Sequence, residues 1–423
     1  MRPSYRRIIL PGLCVLAICA LAACGGGGGN ASAPPVGHNF SGGGTNVVAV
    51  TVGPGPAKSN SQTFNIPFVT VTVCQAGTST CATVDHVLVD TGSSGLRLMA
   101  SALAAQGLTL SPMPDPGNAT HTIHECLPFA DGYAWGPVAS ADVTIGTEAS
   151  THAIAVQVID DGQTPTPAAP KTCTSHGTSL NSVDAFDANG VLGVGTSNQD
   201  CGSGCANSAL EVYYSCDTGG NCSPTAQPLA DQVANPVASF AVDNNGVILQ
   251  LPAIAADGAP YADGYLVFGI GTENNNGLGT AEVLTTDTEG LFITDFQSQA
   301  LDNSFIDSGS NTLYFPNSSS SPIPLCGAQG TSAGDFYCPT ATESLSATNQ
   351  GQNGTTSQVS FQVANMNQLS RSNFALDDVG GPAQSIAISN YFDWGLPFFY
   401  GRTVFTAIEG TSAGGIAGPF FAY

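Results

Sequence analysis

His86-Val87-Leu88-Val89-Asp90-Thr91-Gly92-Ser93-Ser94-Gly95-Leu96 and, 217 residues later, Asn303-Ser304-Phe305-Ile306-Asp307-Ser308-Gly309-Ser310-Asn311-Thr312-Leu313 carry one pattern twice. Each stretch delivers a carboxylate at the end of an apolar β run. Such a carboxylate is costly to bury unless it is hydrogen-bonded or shared. Glycine two residues later permits a tight turn that backs the main chain against the carboxylate. Hydroxyls one and three residues after the aspartate can fix its orientation. One Asp-Thr-Gly triplet is common; two copies in corresponding places are a far stronger signal.

Outward from these loops the chain continues as strands. Val47 to Val52, Phe68 to Val73 and Val84 to Val89 are β-branched runs, and Asn189-Gly190, Asn245-Gly246, Asp257-Gly258 and Asp263-Gly264 read as turns. Leu98 to Leu108 is the best short helix. Polar stretches at Asp161–Ala169, Asn317–Ser321 and Thr348–Ser357 read as surface loops. A change of character near Gln227–Pro236 divides the chain into related halves, each with an Asp loop and a later apolar run ending in glycine. The expected class is all-β, with an N-terminal lobe over 46–230 and a C-terminal lobe over 231–423.

Composition narrows the function. The chain has 423 residues and a net charge of −23, with 31 acidic against 8 basic residues. Arg2, Arg6 and Arg7 stand at the very start, so the remainder holds only Lys58, Arg97, Lys171, Arg371 and Arg402 as cations. A nucleic-acid binder needs a face of Lys and Arg, and attraction to anionic lipid needs the same. Both are disfavoured for the body of the protein. Charged residues make up only 9% of the chain and apolar ones 42%, which fits a folded β-rich protein rather than a disordered one.

The paired loops resemble those of the pepsin-like aspartic proteases, and the resemblance extends from about Pro67 to Tyr423. Asp90-Thr91-Gly92-Ser93-Ser94 matches the first active-site loop, and Asp307-Ser308-Gly309-Ser310 matches the second in its Ser form. Phe186 to Gly195 resembles the family's FDGILGLG segment with two residues added. Gly264 to Gly269 is similar to the strand before the second loop, and Trp394 to Phe405 to a segment near the family's C-terminus. The resemblance implies a bilobal fold with a cleft between the lobes, and Asp90 and Asp307 as a catalytic pair that activates water. It also implies that Thr91 and Ser308 cross-brace the loops, and that Ser93 and Ser310 orient the outer carboxylate oxygens. No cofactor and no metal is implied. A flap is expected within Pro128–Gly136, with Phe129 at the position of the family's tyrosine and Tyr133 or Trp135 serving only in a shifted hairpin. Arg97 stands where the family carries tryptophan, free to contact substrate or to pair with an acid.

The N-terminus suggests an address. Arg2, Arg6 and Arg7 precede the apolar run Ile8 to Ala22, short for a membrane span, and Leu21-Ala22-Ala23-Cys24 resembles the lipobox of bacterial lipoproteins. That implies a signal peptide over 1–23, acylation (palmitate included) of Cys24, and a glycine-rich tether over 24–45 holding a monomer to the lipid bilayer. Gly25 after the cysteine points to outer-membrane sorting in a host with two membranes. Ten cysteines remain, an even number in a compartment that permits disulfides. Spacing suggests Cys74–Cys81, Cys216–Cys222 and Cys326–Cys338; Cys126 could then pair with Cys173, leaving Cys201 with Cys205. Many connectivities satisfy the same count, and a metal site within Cys201–Cys222 is the rival reading.

Other motifs carry less. Gly-Thr-Ser-Ala-Gly occurs at 330–334 and at 410–414, but all six histidines precede both copies, against the order of a nucleophile elbow. His121-Thr122-Ile123-His124-Glu125 lacks zinc-protease spacing and reads as a polar surface strand. Asp184, Asp187 and Asn189 miss calcium-loop spacing. Two functions follow: a lipid-anchored aspartic endopeptidase acting on peptides or proteins, or an inactive pepsin-like lipoprotein of the cell envelope with a binding or structural role.

Overall fold

Alternation builds the strands. Along Pro67–Gln75, Val69, Val71 and Val73 turn into the core while Thr70 faces solvent, as a half-buried pleated strand requires. The computed structural model describes residues 44–59, 63–163, 166–318, 322–328, 331–383 and 389–423. The expected signal peptide, Cys24 and nearly all of the tether lie outside the described residues. Among the described residues the protein is mainly β, with strands in sheets of 18, 7 and 2 members. No helix of the described residues is long and apolar enough to cross a membrane.

The large sheet ties distant parts of the chain together. Val47–Val52 pairs antiparallel with Ala262–Phe268, which in turn pairs with Gly246–Gln250. Gly246–Gln250 pairs with Thr403–Ala407, and that strand with Phe420–Ala422. Strands from both sides of the expected boundary near Gln227–Pro236 therefore share one sheet. The seven-stranded sheet comes wholly from the second half and covers a ring-rich core, where Phe392 stacks on Trp394 at 3.9 Å and Phe296, Phe315 and Phe361 pack around them.

The two Asp loops sit in the same local topology. Cys81–Asp90 leads into the first loop and Ser94–Met99 leads out; Gly190–Val194 pairs with both, parallel to the first and antiparallel to the second. Gln299–Ile306 and Leu313–Phe315 flank the second loop, and Asp393–Trp394 pairs with them in the same two senses. The later apolar runs noted in each half are these third strands.

Three local expectations are corrected. The helix read over Leu98 to Leu108 spans only Ala100–Ala104, because Leu98 and Met99 are drawn into parallel pairing with Val158 and Ile159. Asp263-Gly264 lies within a strand rather than a turn. The missing side chain serves close strand approach there: a Cβ on Gly264 would stand 2.2 Å from the carbonyl oxygen of Gln250. Thr348–Ser357 is mostly a hairpin between Glu343–Gln350 and Thr356–Val363, its polar residues alternating with buried Ala347, Val359 and Val363. Five disulfides, Cys74–Cys81, Cys126–Cys173, Cys201–Cys205, Cys216–Cys222 and Cys326–Cys338, join the ten cysteines in the suggested pairs. The rival metal site within Cys201–Cys222 is thereby excluded, since its four thiols are oxidised.

Candidate active site

Each aspartate is aimed by its own loop. Asp90 closes its strand and Asp307 directly follows one, and both are fully buried. The backbone N–H of Gly92 donates to Asp90 Oδ1 at 2.8 Å, and that of Gly309 donates to Asp307 Oδ1 at 2.8 Å. Ser93 Oγ donates to Asp90 Oδ2, and Ser310 Oγ contacts Asp307 Oδ2 at 3.1 Å. The loops are thus near copies in their hydrogen bonding as in their residues.

The loops also brace one another. The Thr91 amide donates to Ser308 Oγ and the Ser308 amide to Thr91 Oγ1, each at 3.0 Å. Thr91 Oγ1 in turn donates to the Ile306 carbonyl at 3.2 Å, and Ser308 Oγ to that of Val89 at 2.8 Å. Every hydroxyl hydrogen and both amides are used, so neither loop can shift without breaking the other's bonds. This close approach requires both glycines. A Cβ on Gly92 would lie 2.4 Å from Asp307 Cγ, and one on Gly309 would lie 2.6 Å from Asp90 Oδ1.

The two carboxyl groups stand close enough for each to feel the other's charge. Burial pushes the Asp307 carboxyl well above the usual carboxylate range, with further upward pushes from Asp90 and then from Asp393. Two carboxyl groups held this close do not both ionise cheaply, and a shared proton relieves the repulsion. A pair that shares one proton in this way would set a base beside an acid.

Each Asp loop borders a cavity, although neither aspartate is itself in a lining. A cavity of about 610 Å³ is lined by Thr91, Gly92, Ser93 and Ser94 together with Asp200 and Glu409. A second, of about 370 Å³, is lined by Gly309, Ser310 and Asn311 together with Ala130, Asp131 and Asp335. Both linings, among the described residues, are free of Lys, Arg and His. The hairpin expected as a flap joins Asn118–Pro128 to Gly132–Ile145, and its tip, Ala130 and Asp131, reaches the second cavity.

The three flap rings are engaged elsewhere. Phe129 is buried edge-on against Phe186. Trp135 stacks on His124, meets Tyr214 edge-on and donates its indole N–H to the Pro167 carbonyl at 2.7 Å. Tyr133 packs into the same cluster, beside the Cys126–Cys173 disulfide.

Arg97 is the residue whose surroundings sequence reasoning left open. It is fully buried and forms a bidentate pair with Glu125 at 2.7 and 3.2 Å and a third contact with Asp200 at 3.1 Å. Its remaining nitrogen donates to the carbonyls of Ser94 and Gly95, directly after the first Asp loop. Tyr213 donates to the other oxygen of Asp200 at 2.7 Å. Burial first, then the charge of Glu125, pushes Asp200 well above the usual range, against the downward pull of Arg97.

His124 and Glu125, read as part of a surface strand, are buried; the strand is right and the exposure wrong, because Arg97 and the Trp135 ring claim them. Burial lowers the His124 imidazole to about 4. Asp187 accepts hydrogen bonds from Ser59 and Thr63. Asp393, which belongs to none of the motifs above, accepts from Ser310 Oγ at 2.6 Å. A lone acid inside the apolar run Tyr391-Phe392-Asp393-Trp394 is the signal that could have found it.

Residues 42–423 match the model of a family described as "Protein of unknown function (DUF3443)". No curated protein matches the chain.

Proposed function

We propose that this chain, which belongs to the DUF3443 family, is an extracytoplasmic aspartic-type endopeptidase of bilobal, pepsin-like build, tethered to the bacterial envelope by lipid on Cys24. The observation that carries the reading is the buried pair Asp90 and Asp307, brought together on cross-braced loops that each border a cavity. In this reading the ionised member takes a proton from a bound water, whose oxygen attacks the peptide carbonyl. The protonated member donates to the carbonyl oxygen as it gains charge, and the proton taken from water goes on to the leaving nitrogen. No covalent intermediate forms. Five disulfides accord with an oxidising compartment.

The hairpin tip favours a second reading. Ala130 and Asp131, not a ring, line the cavity by the pair, so water exclusion over the carboxylates is left to the bound partner itself. A scaffold that binds a peptide without cutting it fits that feature. A peptidase assay between about pH 3 and 7 on purified protein, with and without pepstatin, separates the two. Asp90→Asn and Asp307→Asn should each abolish cleavage while the protein stays folded. Wild-type signal no higher than that of the Asp90→Asn control at every pH would leave the scaffold. For the anchor, intact mass of membrane-extracted protein should begin at Cys24 with acyl increments; a product beginning elsewhere would refute it.

A further inference from the structure

The two half-sites differ at one point. In the first, the strand between the loop's flanks places Val191 opposite Leu88, two residues before Asp90. In the second, the matching strand places Asp393 opposite Phe305, two residues before Asp307. Where one half buries an apolar residue, the other buries a carboxyl group that is 0% exposed. Burial of a third acid beside an acid pair is expensive and contributes nothing to packing that valine would not.

The difference falls on one hydroxyl. Ser93 Oγ donates to Asp90 Oδ2. Ser310 Oγ has a single hydrogen and two carboxyl groups in reach, Asp393 Oδ2 at 2.6 Å and Asp307 Oδ2 at 3.1 Å. Charge-assisted O–H···O⁻ bonds are the short ones. The hydrogen therefore goes to Asp393, and Asp307 Oδ2 is left without its hydroxyl donor. Asp90 keeps its hydroxyl donor as a carboxylate wants; Asp307 loses its own and meets a like charge.

We infer that Asp393 is a positioning residue of the centre: by drawing the Ser310 hydrogen to itself it places the shared proton of the pair on Asp307 and leaves Asp90 as the base. Other titratable groups stand around Asp393. Asp307 and, beyond it, Asp90 lie on the loop side. Tyr314, on the neighbouring strand, donates its hydroxyl to Asn311, and Tyr391 stacks on Phe305. Asp377, Asp378 and Arg402 share a cavity bounded by Trp394, and Arg402 sits over the Phe398 ring. An ionised Asp393 makes the pair's remaining proton harder to remove, so the state with one proton persists to higher pH than two carboxyl groups alone would allow. As an account of catalysis this rests on the peptidase reading; as a statement about protons it does not.

The test is a carbon-13 titration of aspartate carboxyl groups in the full chain, with resonances assigned from Asp307→Asn and Asp393→Asn spectra, run beside the pH profile of cleavage. In wild-type protein Asp393 should be ionised while Asp307 still carries its proton. In Asp393→Asn the pair's upper midpoint should move to lower pH, and kcat/KM at pH 6 relative to pH 4 should fall by roughly threefold or more. Ser310→Ala, which cuts the link but keeps the charge, should move the midpoint less. Asp393 remaining protonated while Asp307 ionises, or an unmoved midpoint in Asp393→Asn, would overturn the inference. Should Asp393→Asn fail to fold, the order of ionisation in wild-type protein decides alone. Absence of cleavage in wild-type protein would remove the peptidase reading and leave the titration result standing.

Discussion

Asp307 carries a stability cost that its own substitution should reveal. Its carboxyl in the folded protein sits above its value in the unfolded chain, through burial first and then through Asp90 and Asp393. The native state therefore binds a proton that the unfolded state releases, and stability falls as pH rises from the unfolded value through the folded one. Below the unfolded value both states are protonated and the penalty disappears. Asp307→Asn keeps the shape and removes the titration. It should be more stable than wild type at pH 7, by on the order of 1 kcal/mol, with the gain shrinking toward pH 4. Thermal melts of both proteins across that range check it. A variant less stable than wild type at neutral pH would mean that the pair's hydrogen bonding outweighs its crowding. A stable core has no use for three carboxyl groups together.

At the scale of elements, the wall of the larger cavity hangs on Arg97. The guanidinium joins the strand after the first Asp loop to Glu125 in the next hairpin and to Asp200 in the segment that lines the larger cavity. Removing it leaves two buried carboxyl groups uncompensated, so Arg97→Ala should cost about 3–5 kcal/mol in chemical denaturation. Arg97→Lys should recover only part, since an ammonium cannot reproduce the planar fork on Glu125. Asp200→Asn should cost much less than Arg97→Ala, because burial already disfavours its charged form. Equal costs for the two would show that the network acts through packing alone.

Legibility in the sequence followed range along the chain. Strands with β-branched alternation, such as Val47–Val52, and the two Asp loops were readable because their signals are local. The short-range disulfides were readable for the same reason. Arg97 with Glu125 and Asp200 was not, since 28 and 103 residues separate the partners and each is an ordinary surface type by composition. The hairpin's position was readable but the direction of its rings was not. Phe129 and Trp135 turn to whichever side offers Phe186, His124 and Tyr214, and that depends on packing that no short motif encodes.

The whole molecule adds a long-range field to the local chemistry. A net charge of −23 surrounds two cavities that carry Asp131, Asp187, Asp335, Asp200, Glu289 and Glu409 in their linings. Asp187 and Asp200 are held by hydrogen bonds, and Glu409 accepts from the Asn198 amide, so these side chains are fixed in place. Glu289 and Asp131 are exposed. Such a surface draws cationic segments and repels acidic ones, and low-dielectric walls focus the effect at the cavities. A peptide bearing Lys or Arg should therefore associate faster than its neutral counterpart, by about tenfold or more at low salt. Raising ionic strength from about 0.02 to 0.5 M shortens the screening length to a few ångströms and should erase most of that advantage while leaving the neutral peptide unchanged. Measured as kcat/KM the comparison tests an enzyme, and measured as the association rate with Asp90→Asn protein it tests a scaffold equally well. Equal rates for cationic, neutral and acidic peptides at low salt would show that the cavities' acids are matched by counterions and play no part in choosing the partner.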